Sequence, residues 1–180
     1  MRIVAGKFRA KKLLPPKHNI RPTLDKVKQA LFTRLQFFIE DKAVLDLFSG
    51  SGALGIEALS RGARKVVFCD ADYKSVALTK QNISALKLDK TQEVRVFKVD
   101  YLEFLKTTKE VFDLIILDPP YDKPYYKPAL EIIAGRKLLA NDGVIVCERL
   151  KNSPLEANCF KLDCTKNYGT VALDYFVWDN

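Results

Sequence analysis

Asp118-Pro119-Pro120-Tyr121 closes an apolar run, Phe112-Asp113-Leu114-Ile115-Ile116-Leu117, that is too short for a helix and reads as a buried central strand. Consecutive prolines hold φ near about −65° and remove two N–H donors. What remains is a stiff corner with a carboxylate, backbone carbonyls and one flat ring, and no positive charge of its own. Such a corner suits a planar group that carries N–H donors. Ligands of open α/β sheets bind outside the carboxyl ends of the strands, which is where these residues emerge.

A second constellation precedes it. Asp46-Leu47-Phe48-Ser49-Gly50-Ser51-Gly52-Ala53-Leu54-Gly55 contains GxGxxG between an expected strand and an expected helix, with Asp70 twenty positions beyond Gly50. The spacing fits dinucleotide binding, and a purely structural glycine turn fits it as well. Asp46 argues against a dinucleotide, because a carboxylate beneath the loop repels a pyrophosphate and attracts an ammonium group. A ligand with an amino-acid end and a nucleoside end fits better. Asp100, after Phe97-Lys98-Val99, adds another acid at an expected strand end. Each acid alone is more often a strand-end or cap residue; three at consecutive strand ends beside a glycine loop favour a ligand.

The elements that position these residues alternate from Ala43 onward. The patterning predicts strands near Ala43–Phe48, Lys65–Ala71, Arg95–Asp100, Phe112–Asp118 and Gly143–Glu148, and helices near Ala53–Arg61, Tyr73–Leu86, Tyr101–Thr107 and Tyr126–Gly135. This is the βαβ rhythm of a doubly wound parallel sheet. Phe160–Thr165 and Thr170–Trp178, joined through Asn167-Tyr168-Gly169, read as an antiparallel pair closing it. Ahead of the alternation, residues 2 to 14 suit a hairpin or ribbon ended by Pro15-Pro16. A helix then follows, with Thr23 as N-cap and Val27, Ala30, Leu31, Leu35 and Phe38 on one face. The boundary between this arm and the body is expected at residues 39 to 42, giving a 1–40 arm and a 41–180 catalytic domain.

The 180 residues carry a net charge of +8, of which residues 1–38 hold +9 and the remainder −1. Basic character confined to an arm on a neutral body is the footprint of a polyanion partner. Arg2, Lys7, Arg9, Lys11, Lys12, Arg21 and Lys26 are the expected contacts to that polyanion, with Lys28 also turned outward; a merely solvated basic surface is the plain alternative. No apolar run approaches the ~20 residues of a membrane helix, and the amino terminus lacks a signal-peptide core, so a cytoplasmic protein is expected. Cys69, Cys147, Cys159 and Cys164 show no CxxC spacing, and one histidine leaves a zinc site short of ligands. Neither metal nor membrane is expected.

With D-x-F-x-G-x-G on its loop, the sequence resembles the class I methyltransferases, which use S-adenosylmethionine. The resemblance implies a Rossmann-like, mostly parallel seven-stranded sheet with a C-terminal antiparallel pair. It also implies a cofactor site of Asp46, Phe48, Gly50, Gly52, Asp70, Asp100 and Tyr101, with Asp70 on the ribose hydroxyls and Asp100 on the adenine amino group. In that superfamily an Asp-Pro-Pro-Tyr corner marks transfer to an exocyclic nitrogen. An aromatic amine is a poor nucleophile, so Asp118 and the Pro119 carbonyl hold its N–H groups, Pro120 stiffens the turn and Tyr121 stacks on the base.

Arg2-Ile3-Val4-Ala5-Gly6-Lys7-Phe8-Arg9, Arg21-Pro22-Thr23, Leu45-Asp46-Leu47-Phe48-Ser49-Gly50-Ser51-Gly52-Ala53-Leu54-Gly55 and Glu57-Ala58-Leu59-Ser60-Arg61-Gly62-Ala63 narrow the resemblance to the RsmD family. Those enzymes methylate the guanine N2 of one nucleotide of 16S ribosomal RNA. The likeness runs through Tyr168-Gly169. It departs at Cys69-Asp70, where Val-Glu is common, at Gln29 for Glu and at Thr33 for Asn. The implied partner is 16S ribosomal RNA or a small-subunit assembly particle, met by a monomer. Two other readings stay open: an adenine-N6 DNA methyltransferase, for which the chain lacks a large target-recognition domain, and a non-catalytic basic RNA-binding assembly protein.

Overall fold

A computed structural model describes residues 1–16, 25–88, 93–121 and 124–179. Seven strands form one sheet: β1 (Ala43–Asp46), β2 (Lys65–Asp70), β3 (Glu93–Lys98), β4 (Phe112–Leu117), β5 (Leu139–Leu150), β6 (Lys161–Tyr168) and β7 (Val171–Val177). Their order is β3-β2-β1-β4-β5-β7-β6. The first five run parallel, and β7 inserts antiparallel between β5 and β6. The helices are α1 (Asp25–Arg34), α2 (Ala53–Ser60), α3 (Tyr73–Ala85), α4 (Tyr101–Thr107) and α5 (Tyr126–Gly135). This is the expected α/β architecture. No helix among the described residues is long and apolar enough to cross a membrane.

Continuous apolar runs occupy the middle of the sheet because both of its faces are covered there. All four residues of β1 are buried, as are all but Asp113 of β4. At the edge, β3 alternates exposed and half-buried residues and carries Glu93, Arg95 and Lys98, charges that blunt an unpaired strand. One core lies under α1, α2 and α3 and includes Ile56, Phe68 and Ile116; the other, under α4 and α5, includes Leu45, Ile115 and Ile133.

Several strand bounds differ from expectation, and β3 lies two residues ahead of Arg95–Asp100, so that Asp100 caps α4 instead of ending the strand. The β5 strand begins at Leu139 because its pairing with β4 jumps from Phe112↔Leu139 to Leu114↔Val144, so Asn141-Asp142-Gly143 is an irregularity within the strand. The closing hairpin is tighter than expected, since Asn167 and Tyr168 pair with Ala172 and Val171 and only Gly169-Thr170 turn the chain, with Gly169 at φ 61°.

The amino-terminal ribbon shares the body's core. Arg2 bridges Lys12, with Ile3 N–H donating to Lys11 O (3.0 Å) and Ala10 N–H to Ile3 O (2.9 Å). Ile3, Phe8, Leu13, Val27, Leu31, Phe32, Leu35 and Ile39 lie in one cluster with Val44, Ile56 and Ile116, so packing continues across the boundary expected at residues 39 to 42. Lys28 corrects the expectation that it faces outward, for its side chain is 0% exposed. It donates to Arg2 O and lies 3.5 Å from the buried Glu57 carboxylate. Glu57 also accepts from Val4 N–H (2.8 Å), Ala5 N–H (3.0 Å) and Arg61 Nε (2.9 Å). Burial lowers the Lys28 pKa, opposed by Glu57 and Asp25. The ribbon is therefore clamped on α2 by a buried ionic network. Thr23, the expected N-cap, lies outside the described residues.

Candidate active site

The parallel strands end along one edge of the sheet, and chain order reverses between β1 and β4, where open α/β sheets form their ligand crevice. Register sets Asp46 beside Phe68 and Ile116, and Asp70 beside Lys98. The acids expected at strand ends thus reach the same edge.

The loop after β1 is braced on every side. Ser49 N–H donates to Cys69 O (3.0 Å), Gly52 N–H to Ser49 O (2.6 Å) and Gly50 N–H to Asp70 Oδ2 (2.8 Å). Gly52 has φ 78°, and a Cβ there would meet the Thr79 side chain at 3.0 Å. A Cβ on Gly55 would fall 2.2 Å from the Phe68 ring, so this glycine is what lets α2 pack closely on β2.

Asp46 is 1% exposed and accepts from Gly55 N–H (2.9 Å), which fixes the first turn of α2 to the end of β1. Burial raises its pKa to about 7; the Gly55 N–H opposes this and the Asp70 charge adds to it. Asp70 is half-buried, its other oxygen accepting from Asp72 N–H (2.8 Å), and burial raises its pKa too, against those backbone donors. Asp100 is exposed and caps α4, with Oδ1 accepting from Leu102 N–H (2.8 Å) and Glu103 N–H (3.4 Å). An ionised carboxylate offers about four lone-pair positions. Asp70 and Asp100 thus combine a local structural bond with remaining capacity for ligand hydroxyl or amino donors.

Phe48 and Tyr101 come together at this edge, with ring centroids 5.2 Å apart. Tyr125 completes the cluster, 5.3 Å from Phe48 and edge-on to Tyr101 at 5.2 Å. Acids that accept from hydroxyl and amino groups, beside aromatic faces for a planar base, are an acceptor and wall set that fits S-adenosylmethionine. Sequence reasoning does not find Tyr125 in this cluster, because the spacing of Phe48, Tyr101 and Tyr125 hides their convergence.

Asp118 is half-buried, Pro119 buried, Pro120 exposed and Tyr121 half-buried at the end of β4. The Tyr121 hydroxyl donates to Glu148 Oε1 (2.9 Å), and Tyr126 donates to the Glu148 carbonyl. Glu148 was not singled out from sequence; its signal is its place on β5, one residue beyond the pair Leu117↔Cys147 and so level with Asp118. Tyr121 and Tyr126 also border a cavity of about 160 Å³ shared with Arg149, Leu150, Ser153, Pro154 and Leu155. Arg149 is occupied by Asp174 (Nη2 to Oδ1 3.0 Å) and by the carbonyls of Leu150 and Lys151.

Arg2, Lys7, Arg9, Lys11, Lys12 and Lys26 are exposed; Arg21 lies outside the described residues. Lys7 and Lys11 flank the Phe8 ring at 5.7 and 5.6 Å. The ribbon tip sits at the last turn of α2, where Lys7 N–H donates to Ser60 O (2.7 Å), and its base reaches the loop before that helix, where Met1 Sδ lies 3.8 Å from Ser51 Oγ. The ribbon that carries these cations thus runs along α2, from its last turn to the loop that precedes it. No group of three or more His, Cys, Asp or Glu among the described residues is arranged to hold a metal ion.

Comparison with known proteins agrees with this geometry. The family model described as conserved hypothetical protein 95 matches residues 1–177. The ribosomal RNA small subunit methyltransferase D of Haemophilus influenzae is 36% identical over 158 residues, spanning 86% of this chain and 81% of that protein. Its Escherichia coli K12 namesake is 33% identical, spanning 82% and 74%. The solved structure of yhhF from Escherichia coli superposes with a TM-score of 0.86 at 30% identity, covering 99% of this chain and 97% of that one.

Proposed function

Because this chain belongs to the RsmD family of ribosomal RNA methyltransferases, we propose that it transfers a methyl group from S-adenosylmethionine to the exocyclic N2 of a guanine in small-subunit ribosomal RNA. The observation that carries this reading is the meeting, on one sheet edge, of a braced glycine loop, the acids Asp70 and Asp100, and the Asp118-Pro119-Pro120-Tyr121 corner.

Asp70 would take the ribose hydroxyls, Asp100 the adenine amino group, and Phe48 and Tyr101 the faces of the base; Asp46 braces the first turn of α2 beneath the loop. The cofactor, when bound, supplies a methyl already activated on a sulfonium. The chain's own part is to present the acceptor. Asp118 and the Pro119 carbonyl accept the two N–H groups of the amine, which turns its lone pair out of conjugation. Tyr121 fixes the plane of the base, and the two prolines keep the corner from yielding. The exposed cations of the ribbon grip the backbone around a guanine that is unpaired or rotated from its stack.

The test is transfer of labelled methyl from S-adenosylmethionine to small-subunit ribosomal RNA, naked or as particles, beside duplex DNA. Label in RNA alone is expected. Label in DNA would favour the adenine-N6 reading, and label in neither would favour a binding protein without turnover.

A further inference from the structure

We propose that Asn82 is a positioning residue that ties the amino-terminal ribbon to the glycine loop, so that cofactor binding and the ribbon's hold on RNA are energetically linked. The inference rests on reading the crevice as the S-adenosylmethionine site. It adds a connection that neither the glycine motif nor the Asp-Pro-Pro-Tyr corner contains.

Asn82 lies on α3, is 1% exposed, and uses its amide on two separate segments. Oδ1 accepts from Leu14 N–H (2.8 Å), and Nδ2 donates both to Leu14 O (3.2 Å) and to Ser51 O (2.9 Å). This orientation of the amide is the one that gives both carbonyls a donor and the Leu14 N–H an acceptor. Leu14 is thus held as a paired strand residue would be, and the remaining amide hydrogen reaches the cofactor loop. Met1, beside Leu13 at the same end of the ribbon (Leu13 N–H to Met1 O, 3.2 Å), touches the same loop residue through its sulfur.

Thr79, one turn earlier on α3, provides a contrast. Its hydroxyl donates to Gly50 O (3.0 Å), the carbonyl preceding the one held by Asn82. Because each peptide is trans and planar, carbonyls drawn toward α3 turn the N–H groups of Ser51 and Gly52 the other way, and that of Gly52 closes onto Ser49 O at 2.6 Å. Thr79 and Asn82 together set the conformation of the loop, but only Asn82 also holds the ribbon. Whatever stiffens the loop stiffens the ribbon through it, and by reciprocity RNA that engages the ribbon changes cofactor affinity by the same factor.

The test follows amide hydrogen exchange in the ribbon, with and without saturating S-adenosylhomocysteine, in the wild type, Asn82→Ala and Thr79→Val, with affinities by calorimetry. The amides of Ile3 and Ala10 report, because their bonds to Lys11 O and Ile3 O do not involve the substituted side chain. Exchange at both is expected to slow in the wild type on addition of the ligand. Asn82→Ala leaves a buried carbonyl without its donor and is expected to weaken the ligand about tenfold. It should also diminish the ribbon response, since only the weaker Met1–Ser51 contact then joins ribbon and loop. Thr79→Val is expected to weaken the ligand and keep the response, which separates coupling from a general loss of stability. A wild-type ribbon indifferent to the ligand, or a response unchanged in Asn82→Ala, overturns the proposal. If Asn82→Ala does not fold, the wild-type response decides. Failure of the wild type to bind the ligand at all would instead remove the cofactor reading on which the proposal stands.

Discussion

The Tyr121 hydroxyl donates to Glu148 Oε1 at 2.9 Å, joining the corner that ends β4 to the neighbouring strand β5. This bond sets the plane of the ring that is proposed to stack on the target base. Loss of the ring should therefore cost more than loss of the hydroxyl. Tyr121→Ala is expected to forfeit a stacking contact of roughly 1–3 kcal/mol, and Tyr121→Phe only the orienting bond. In a double-substitution cycle, Glu148→Ala should cost less turnover in the Tyr121→Phe background than in the wild type, because the shared bond is already gone. Additive losses would mean that Glu148 acts on something other than Tyr121.

Asp118→Ala separates acceptor alignment from cofactor binding. Calorimetry is expected to find S-adenosylhomocysteine affinity within a few-fold of the wild type, while single-turnover methylation falls by about 10²-fold or more, the scale of losing one electrostatic contact made in the transition state. Asp70→Ala and Asp100→Ala should do the reverse, weakening the cofactor and leaving RNA affinity unchanged. Near-normal turnover in Asp118→Ala would remove it from the reaction.

Deleting the ribbon would not isolate its RNA role, because Ile3, Phe8 and Leu13 are buried in the body's core and the Glu57 carboxylate is satisfied by the ribbon's own N–H groups. Glu57→Ala leaves the buried Lys28 charge with only the longer contact to Asp25 (3.8 Å) and strips the Val4 and Ala5 N–H groups of their acceptor, and should destabilise the chain by about 3–5 kcal/mol in denaturant melts. The RNA role is tested by replacing the exposed Lys7, Arg9 and Lys11 with Ala. That variant should fold and bind cofactor as the wild type does, bind ribosomal RNA more weakly, and lose about 0.7–0.9 from the logarithmic salt slope for each phosphate contact removed. An unchanged slope would place RNA recognition elsewhere.

Asp46 gives a pH dependence with a defined sign. Its carboxyl rises from 3.8 to about 7 on folding, chiefly through burial. The folded chain therefore keeps a proton that the unfolded chain has released. The corresponding stability is fully present below the unfolded value and is lost as pH rises through about 7. Relative to Asp46→Asn, the wild type should lose stability progressively as pH increases across that interval, measured by denaturant midpoint at each pH. Parallel curves for the two proteins would show that Asp46 is not held in this state.

The central sheet was readable because burial on both faces writes strands as unbroken apolar runs, and Phe112–Leu117 and Lys65–Asp70 form where those runs predicted. Boundaries slipped where a turn-forming composition was overruled by pairing, as at Asn141-Asp142-Gly143 within β5 and at Asn167 in β6. The crevice acids were visible through their spacing from the glycine loop. Lys28 was misplaced because its charge suggests solvent, and only the tertiary position of Glu57 reveals a buried partner. Asn82, Thr79 and Glu148 carry no local motif; their meaning comes from segments up to 68 residues away that the fold brings against them.

The corner ending β4 is proposed to direct a methyl group to an exocyclic amine of guanine. This is tested most directly by digesting ribosomal RNA methylated in vitro with labelled S-adenosylmethionine and identifying the labelled nucleoside by chromatography and mass spectrometry. The label is expected to be recovered as N2-methylguanosine from small-subunit RNA, and to fall by about 10²-fold or more in Asp118→Ala. Label recovered as N6-methyladenosine, as a ring-nitrogen or ribose methylation, or at equal yield in Asp118→Ala would contradict the proposal.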